Sequence, residues 1–224
     1  MTILSAILYF LSQHPFLSWL VFILVGLAVG RAIARRKRHP GWHLLVAPFF
    51  FFGIVNIFTG SIFNALFLNA VGQTGTAVVT HSEETSSTLN DQAIWAYDAV
   101  LKTADGRDVV TGFNTMTASI YPISNEILIP PEGEVFVVKY VPGFPRNIAI
   151  MRDLSPYGKV YRIGRARGPV DRAANQLAAS PNNAAFIAEY RKALTTFLAK
   201  HREDADPALV RDFEARLEAL PPAH

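Results

Sequence analysis

One short segment carries the side chains that general acid–base chemistry requires. His81-Ser82-Glu83-Glu84 places an imidazole, a hydroxyl and two carboxylates in four consecutive positions, and such groups can move protons if a fold aligns them. The segment belongs to a run from His81 to Asp91 that is rich in Ser, Thr and Glu. This composition is typical of an exposed polar loop, so we expect solvated side chains here and no catalysis.

The remaining motifs predict neither a cofactor nor a metal site. His39 and His43 have the i, i+4 spacing of two helical metal ligands, but Pro40-Gly41 separates them, and two His side chains alone do not form a site. The sequence has no cysteine, which excludes thiol catalysis and Cys-ligated zinc. It also lacks a Gly-rich phosphate loop that opens a helix. We therefore predict a protein that is not an enzyme and binds no cofactor.

A basic hinge from Arg31 to His43 stands between two apolar runs, residues 17–34 and 44–71. Each run can supply the roughly 20 mainly apolar residues that a membrane-spanning helix needs. Lys and Arg beside such spans keep a loop in the cytoplasm, where they meet the lipid headgroups. The basic residues predicted to set this topology are Arg31, Arg35, Arg36, Lys37 and Arg38.

This charge pattern predicts a protein of a bacterial inner membrane. Residues 1–72 would form a two-helix transmembrane hairpin, with loop 31–43 in the cytoplasm and both termini in the periplasm. No Lys or Arg precedes Arg31, so the first run does not resemble a cleaved signal peptide. Residues 3–14 either continue the first helix past Pro15 or lie along the membrane interface.

Small and amide side chains predict how the two spans pack. Gly26 and Gly30 form a small-xxx-small motif, which lets another helix approach closely. In the second span four residues share one helical face, and amides in hydrocarbon need partners, so this face should contact protein. Either the spans pack on each other as an antiparallel hairpin, or the glycines mediate a homodimer. The four residues are Gly53, Asn56, Gly60 and Asn64.

From residue 73 the pattern changes to the alternation of β-strands. Residues 73–153 contain short alternating runs and tight turns, with Asp105-Gly106 as the clearest hairpin signal. We predict a small, five-stranded β-barrel of SH3 or OB type, either closed or half-closed. Residues 73–224 hold sixteen basic and eighteen acidic side chains, a formal charge of −2, so bulk charge does not predict nucleic-acid binding.

A resemblance supports this architecture. It rests on four features: Gly75-Thr-Ala-Val-Val79 just after a span, Tyr97, the Asp105-Gly106 hairpin, and Val138-Lys-Tyr-Val-Pro-Gly-Phe-Pro145 followed by Asn147-Ile-Ala-Ile150. With these features the chain resembles a family of uncharacterised bacterial membrane proteins. These proteins pair transmembrane helices with one small β-barrel domain. The resemblance covers residues 72–152 and implies an envelope protein, with no catalytic residue attached to it.

The C-terminal part is predicted as a linker and a helical pair. Residues 154–170 are Gly-rich and basic and predict a linker, and residues 171–224 predict an antiparallel helical hairpin that starts at Ser180-Pro181 and restarts at Asp206-Pro207. The basic side chains either contact phosphate or lipid, or pair with acids of the β domain. They are Lys159, Arg162, Arg165 and Arg167.

Together these features predict a membrane-anchored α+β protein. Its expected partners are the lipid bilayer and either another protein or a second copy, with no nucleic acid. Because no catalytic constellation is found, we expect the β domain and the C-terminal helices to act as an interaction or scaffold module. The alternatives are an accessory subunit for transport of small molecules or ions, or an enzyme with an unrecognised site.

Overall fold

The computed structural model describes residues 1–221 as an α+β fold with six α-helices and one six-stranded sheet. The chain divides into two compact units, and the boundary lies between Ser155 and Pro156. The first unit holds three helices and the sheet, and the second holds three helices.

The first unit begins with helices of strongly apolar sequence. Pro15 opens α2, where its missing N–H costs little, and a left-handed Arg38 ends that helix. Two segments are long and apolar enough to cross a membrane: α2, and the 32 residues Pro40–Val71. The elements are α1 (Thr2–Gln13), α2 (Pro15–Lys37), a 3-10 helix (Pro40–Leu45) and α3 (Val46–Val71).

The N-terminal stretch forms a helix of its own, separated from α2 only by His14. Backbone hydrogen bonds bridge this break, because the His14 N–H donates to the Phe10 carbonyl and the Ser18 N–H donates to the His14 carbonyl. α1 packs along α3 from near its middle onwards, where the Asn56 side chain donates to the Leu11 carbonyl at 2.9 Å and Gly60 lies against Leu11 and Ser12. α2 packs along the first half of α3, so α3 contacts both helices in succession.

The β domain is an open mixed sheet, so the predicted five-stranded barrel is corrected. A sixth strand, β4, pairs in parallel with β6 at one edge, while β3 forms the other edge. Thr111 of β3 donates to the Arg146 carbonyl on β6 at 2.6 Å, so the sheet curls without closing by strand pairing. The order is β3-β2-β1-β5-β6-β4, with β1 Gln73–Leu89, β2 Gln92–Lys102, β3 Asp108–Asn114, β4 Ile120–Tyr121, β5 Val135–Val141 and β6 Phe144–Met151.

The run predicted as a polar loop, His81 to Asp91, is instead the outer half of a long hairpin. β1 continues to Leu89 and pairs with β2 up to a turn at Asn90 and Asp91, both of which have positive φ. Asn and Asp tolerate this conformation better than other side chains. Ser and Thr make up five of the nine residues from His81 to Leu89, and cross-strand pairing overrides this loop-like composition.

The predicted hairpin at Asp105-Gly106 is confirmed, with Gly106 at a φ of 83°. The Thr103 hydroxyl donates to one carboxylate oxygen of Asp105 at 2.5 Å, and the Arg107 side chain donates to the other at 2.8 Å. These contacts hold the pKa of Asp105 below its ordinary value, with the Thr103 hydrogen bond as the largest cause.

The second unit has three helices. The two helices predicted in residues 171–224 are present, whereas the predicted linker 154–170 is corrected, because most of it lies in an additional helix. Residues 156–170 belong to α4, whose Ile163, Val170, Ala173 and Leu177 face a shared core with the following helices. The Gly residues and Pro169 hide this helical pattern, and tertiary packing offsets their low helix propensity. The helices are α4 (Pro156–Ala179), α5 (Ala184–His201) and α6 (Pro207–Glu218).

Candidate functional site

The most informative group of polar side chains is buried where α1, α3 and the sheet meet. Ser5 of α1, Asn64 of α3, Asn147 of β6 and Ser119 beside β4 are each at most 4% exposed. We call these four residues the junction network. Buried amides are unfavourable unless they are hydrogen-bonded, so their mutual geometry decides whether they stabilise the unit.

Two asparagines form the centre of the junction network. The Asn64 side-chain NH2 donates to the Asn147 side-chain oxygen Oδ1 at 2.8 Å, and the Asn147 side-chain NH2 donates to the Asn64 Oδ1 at 2.8 Å. Asn64 also donates to the Ser119 hydroxyl at 2.9 Å, and Asn147 donates to the Ser5 carbonyl at 3.0 Å. Every amide is therefore satisfied by protein, and the network holds both helices against the sheet.

Further contacts surround this centre. The Thr117 hydroxyl donates to Gln13 at 3.0 Å, and the Lys139 ammonium donates to the Asn69 carbonyl at 2.5 Å. The Tyr9 and Phe144 rings meet edge to face at 5.4 Å. These contacts join α1 and α3 to the β domain at further points, and together with the junction network they restrict rotation of the sheet relative to α1 and α3.

Close approach also fixes the backbone at the end of α3. A Cβ on Gly72 would lie 3.1 Å from the Tyr140 backbone nitrogen and 3.1 Å from the Lys139 Cβ. An apolar cluster packs beside this point, with Ala65 and Leu68 of α3 against Val141 and Ala149 of the sheet. The helix and the sheet are thus joined by dry packing as well as by hydrogen bonds.

The residues predicted for helix packing all face protein of the same chain. Gly26 lies against Phe49, Gly30 against the Trp42 carbonyl, and Gly53 against Trp19. Gly60 lies against the Leu11 carbonyl, and Asn56 donates to that same carbonyl. The Asn64 side chain donates to Asn147 of β6 and to Ser119.

The predicted basic residues lie at two separate places. Arg31, Arg35, Arg36, Lys37 and Arg38 are exposed at the end of α2. In the second unit, Lys159, Arg162, Arg165 and Arg167 all lie on α4. Arg162 pairs with Asp204 at 3.2 Å and Arg167 with Asp171 at 3.1 Å, so the acids that these two arginines contact belong to the helical unit.

The segment with possible acid–base chemistry does not form a site. His81 and Glu83 are exposed neighbours on β1, 3.8 Å apart, whereas Ser82 donates to Glu132 at 2.5 Å. His39 accepts a hydrogen bond from the Gly41 N–H. Among residues 1–221, no three His, Asp or Glu side chains are grouped so that they could hold a metal ion.

Sequence reasoning missed most of the junction network. Asn64 was identified from its position on the helical face, but Ser5, Ser119 and Asn147 were not. Asn147 directly precedes the apolar run Ile148-Ala149-Ile150-Met151 and begins the buried part of β6. A lone amide among buried strand residues is the signal that could have identified it.

No family model, curated protein or solved structure matches this chain.

Proposed function

We propose that this chain is an inner-membrane protein whose β domain, on the periplasmic side, acts as a protein-interaction scaffold in the cell envelope. The observation that carries this proposal is the junction network, which holds the sheet on α1 and α3 through satisfied buried amides. A binding surface that is already held in place loses less conformational freedom on association. A fixed sheet therefore suits a scaffold better than a freely tethered domain would.

The membrane orientation rests on charge. α2 and the segment 40–71 are long and apolar enough to cross a bilayer, and the basic residues lie at the turn between them. Because Lys and Arg flanking spans favour the cytoplasm, the turn would face inwards. The far end of α3, which carries the sheet, would then face the periplasm.

The outer part of the β1–β2 hairpin is the element best placed to meet a partner. Residues 81–95, which we call the arm, extend past the last pair of β1 with β5, at Val78 and Val135. At its base, Ser82 contacts Glu132 and Trp95 contacts Thr115, and from Thr85 to Ile94 the arm is a two-stranded ribbon. Such a ribbon is only marginally stable in water, and the arm exposes the large side chains of Leu89 and Trp95. A partner that covers the arm would stabilise it.

Site-specific photo-cross-linking in cells tests this proposal. A photoreactive amino acid at Leu89 should give a discrete protein adduct, whose mass shows whether the partner is another protein or a second copy. Leu24, on the exposed surface of α2, is the control and should give no such adduct. The absence of any protein adduct at Leu89 and at Trp95, or the same adducts at Leu24, would contradict the proposal.

A further inference from the structure

An apolar groove lies between α3 and the segment that connects β3 to β5. Its volume is about 260 Å³. Phe58 and Ile62 of α3 form one wall, and Met116, Ile120, Ile123 and Ile127 line the rest together with small and polar residues. Phe58 is 73% exposed and Ile127 is 55% exposed, so large apolar side chains remain open at the mouth. Exposure of such an apolar surface to water is energetically unfavourable.

The groove is continuous with the apolar surface of α3. Phe51, Phe52, Val55 and Phe58 are all exposed large side chains on this helix, which has the hydropathy of a membrane span. With a rise of about 1.5 Å per residue, Phe58 lies about 18 Å and Ile62 about 24 Å along the helix from Val46. Both distances fall short of the hydrocarbon thickness of about 30 Å.

The groove would therefore open within the hydrocarbon of the outer leaflet if Val46, next to the basic hinge, lies near the inner boundary of the bilayer. Its lining also includes Ser124, Asn125 and Glu126, which lie between Ile123 and Ile127 in the chain. The Arg152 side chain donates to the Ser124 hydroxyl at 2.9 Å. An apolar cleft with polar residues on its rim matches an amphiphile whose chain is buried and whose headgroup stays hydrated.

We propose that this groove seats the acyl chain of an outer-leaflet phospholipid, so that the β domain contacts the bilayer beside α3. The inference rests on the proposed membrane anchoring and adds a lipid site that the scaffold proposal does not require. We expect Ile123 and Ile127 to contact lipid, whereas Val135 on β5, an equally exposed apolar residue, stays in water. Val135 has the same exposed fraction as Ile127, 55%, but does not line the groove.

Fluorescence quenching by brominated lipid tests the proposal. Since the chain has no cysteine, a variant with one introduced cysteine can be labelled with a thiol-reactive fluorophore at that position alone. The three variants are Ile127→Cys, Val135→Cys and Phe51→Cys. The purified full-length protein is reconstituted in phosphatidylcholine vesicles with brominated acyl chains. We expect strong loss of fluorescence at positions 127 and 51 and little loss at position 135.

Labels at these three positions test the lipid site and the membrane anchoring separately. If position 51 is quenched but positions 127 and 135 behave alike, the lipid site is wrong while membrane anchoring stands. If position 51 is not quenched, membrane anchoring itself fails, and the lipid site fails with it. Because all three side chains are exposed, their replacement should leave the fold intact, and circular dichroism of each variant checks this.

Discussion

At the scale of single residues, the asparagine pair Asn64 and Asn147 has the largest structural consequence. Each amide both donates to and accepts from the other at 2.8 Å, and both side chains are almost fully buried. The net stabilisation from one hydrogen bond is modest, but loss of one partner leaves the other desolvated and unpaired. The junction network is therefore more sensitive to the loss of one member than its individual bonds suggest.

The variant Asn147→Ala tests this sensitivity. It removes both hydrogen bonds that the Asn64 side chain forms with β6 and should lower the free energy of unfolding by about 1–3 kcal/mol. Thermal unfolding of the detergent-solubilised protein measures the effect as a lower midpoint. Asn125→Ala, at an exposed position, is the control and should leave the midpoint unchanged. Equal midpoints for the two variants would show that the amide pair does not stabilise the junction.

At the scale of elements, α3 has two different halves. Its first half packs on α2 through glycines, and its second half packs on α1 and the sheet through amides and small apolar residues. Glycine allows the close backbone approach that dispersion forces require inside a membrane. The same helix thus combines a sequence long and apolar enough to cross a membrane with the support of the β domain.

The variant Gly30→Leu tests the glycine packing of α2, at its contact with the 3-10 helix that precedes α3. A Cβ at this position would lie 2.7 Å from the Trp42 carbonyl oxygen and 3.3 Å from the His43 Cα, so the backbone would have to move. Overpacking of this kind costs about 1–3 kcal/mol, and the midpoint of thermal unfolding in detergent should fall. Leu24→Ala, on a side chain that is 56% exposed, should have little effect. A midpoint for Gly30→Leu equal to that of Leu24→Ala would argue against the glycine contact.

The elements also show what sequence patterns can and cannot predict. The two apolar helices were predictable because a run of about 20 mainly apolar residues is typical of a helix long enough to cross a membrane. The β hairpin at Asp105-Gly106 was predictable because its turn residues have a specific backbone preference. The arm was not predictable, since the Ser and Thr side chains in residues 81–89 suit a loop and a solvated strand equally well.

Two other differences arise from tertiary context. Gly164, Gly168 and Pro169 lower the helix propensity of residues 154–170, but Ile163 and Val170 of this segment pack into the core of the second unit. The strand β4 has only two residues, which is too short to show alternation. The partners of Asn64 lie 55 and 83 residues away in the chain, and no local pattern gives such a pairing.

At the scale of the whole molecule, the proposed function depends on where the sheet lies relative to the bilayer. The basic turn after α2 and the sheet after α3 lie at opposite ends of the two apolar helices. If those helices cross the membrane, the two ends face different compartments. The positive charge of the turn then favours the cytoplasm for residues 31–43 and the periplasm for the β domain.

Cysteine labelling in intact cells tests this claim most directly, because the natural chain contains no cysteine. One variant carries Val135→Cys on the exposed surface of β5, and the other carries His39→Cys in the exposed basic turn. A membrane-impermeant maleimide should label Val135→Cys in intact cells and should label His39→Cys only after the inner membrane is broken. Labelling of His39→Cys in intact cells, together with protection of Val135→Cys, would contradict the proposed orientation.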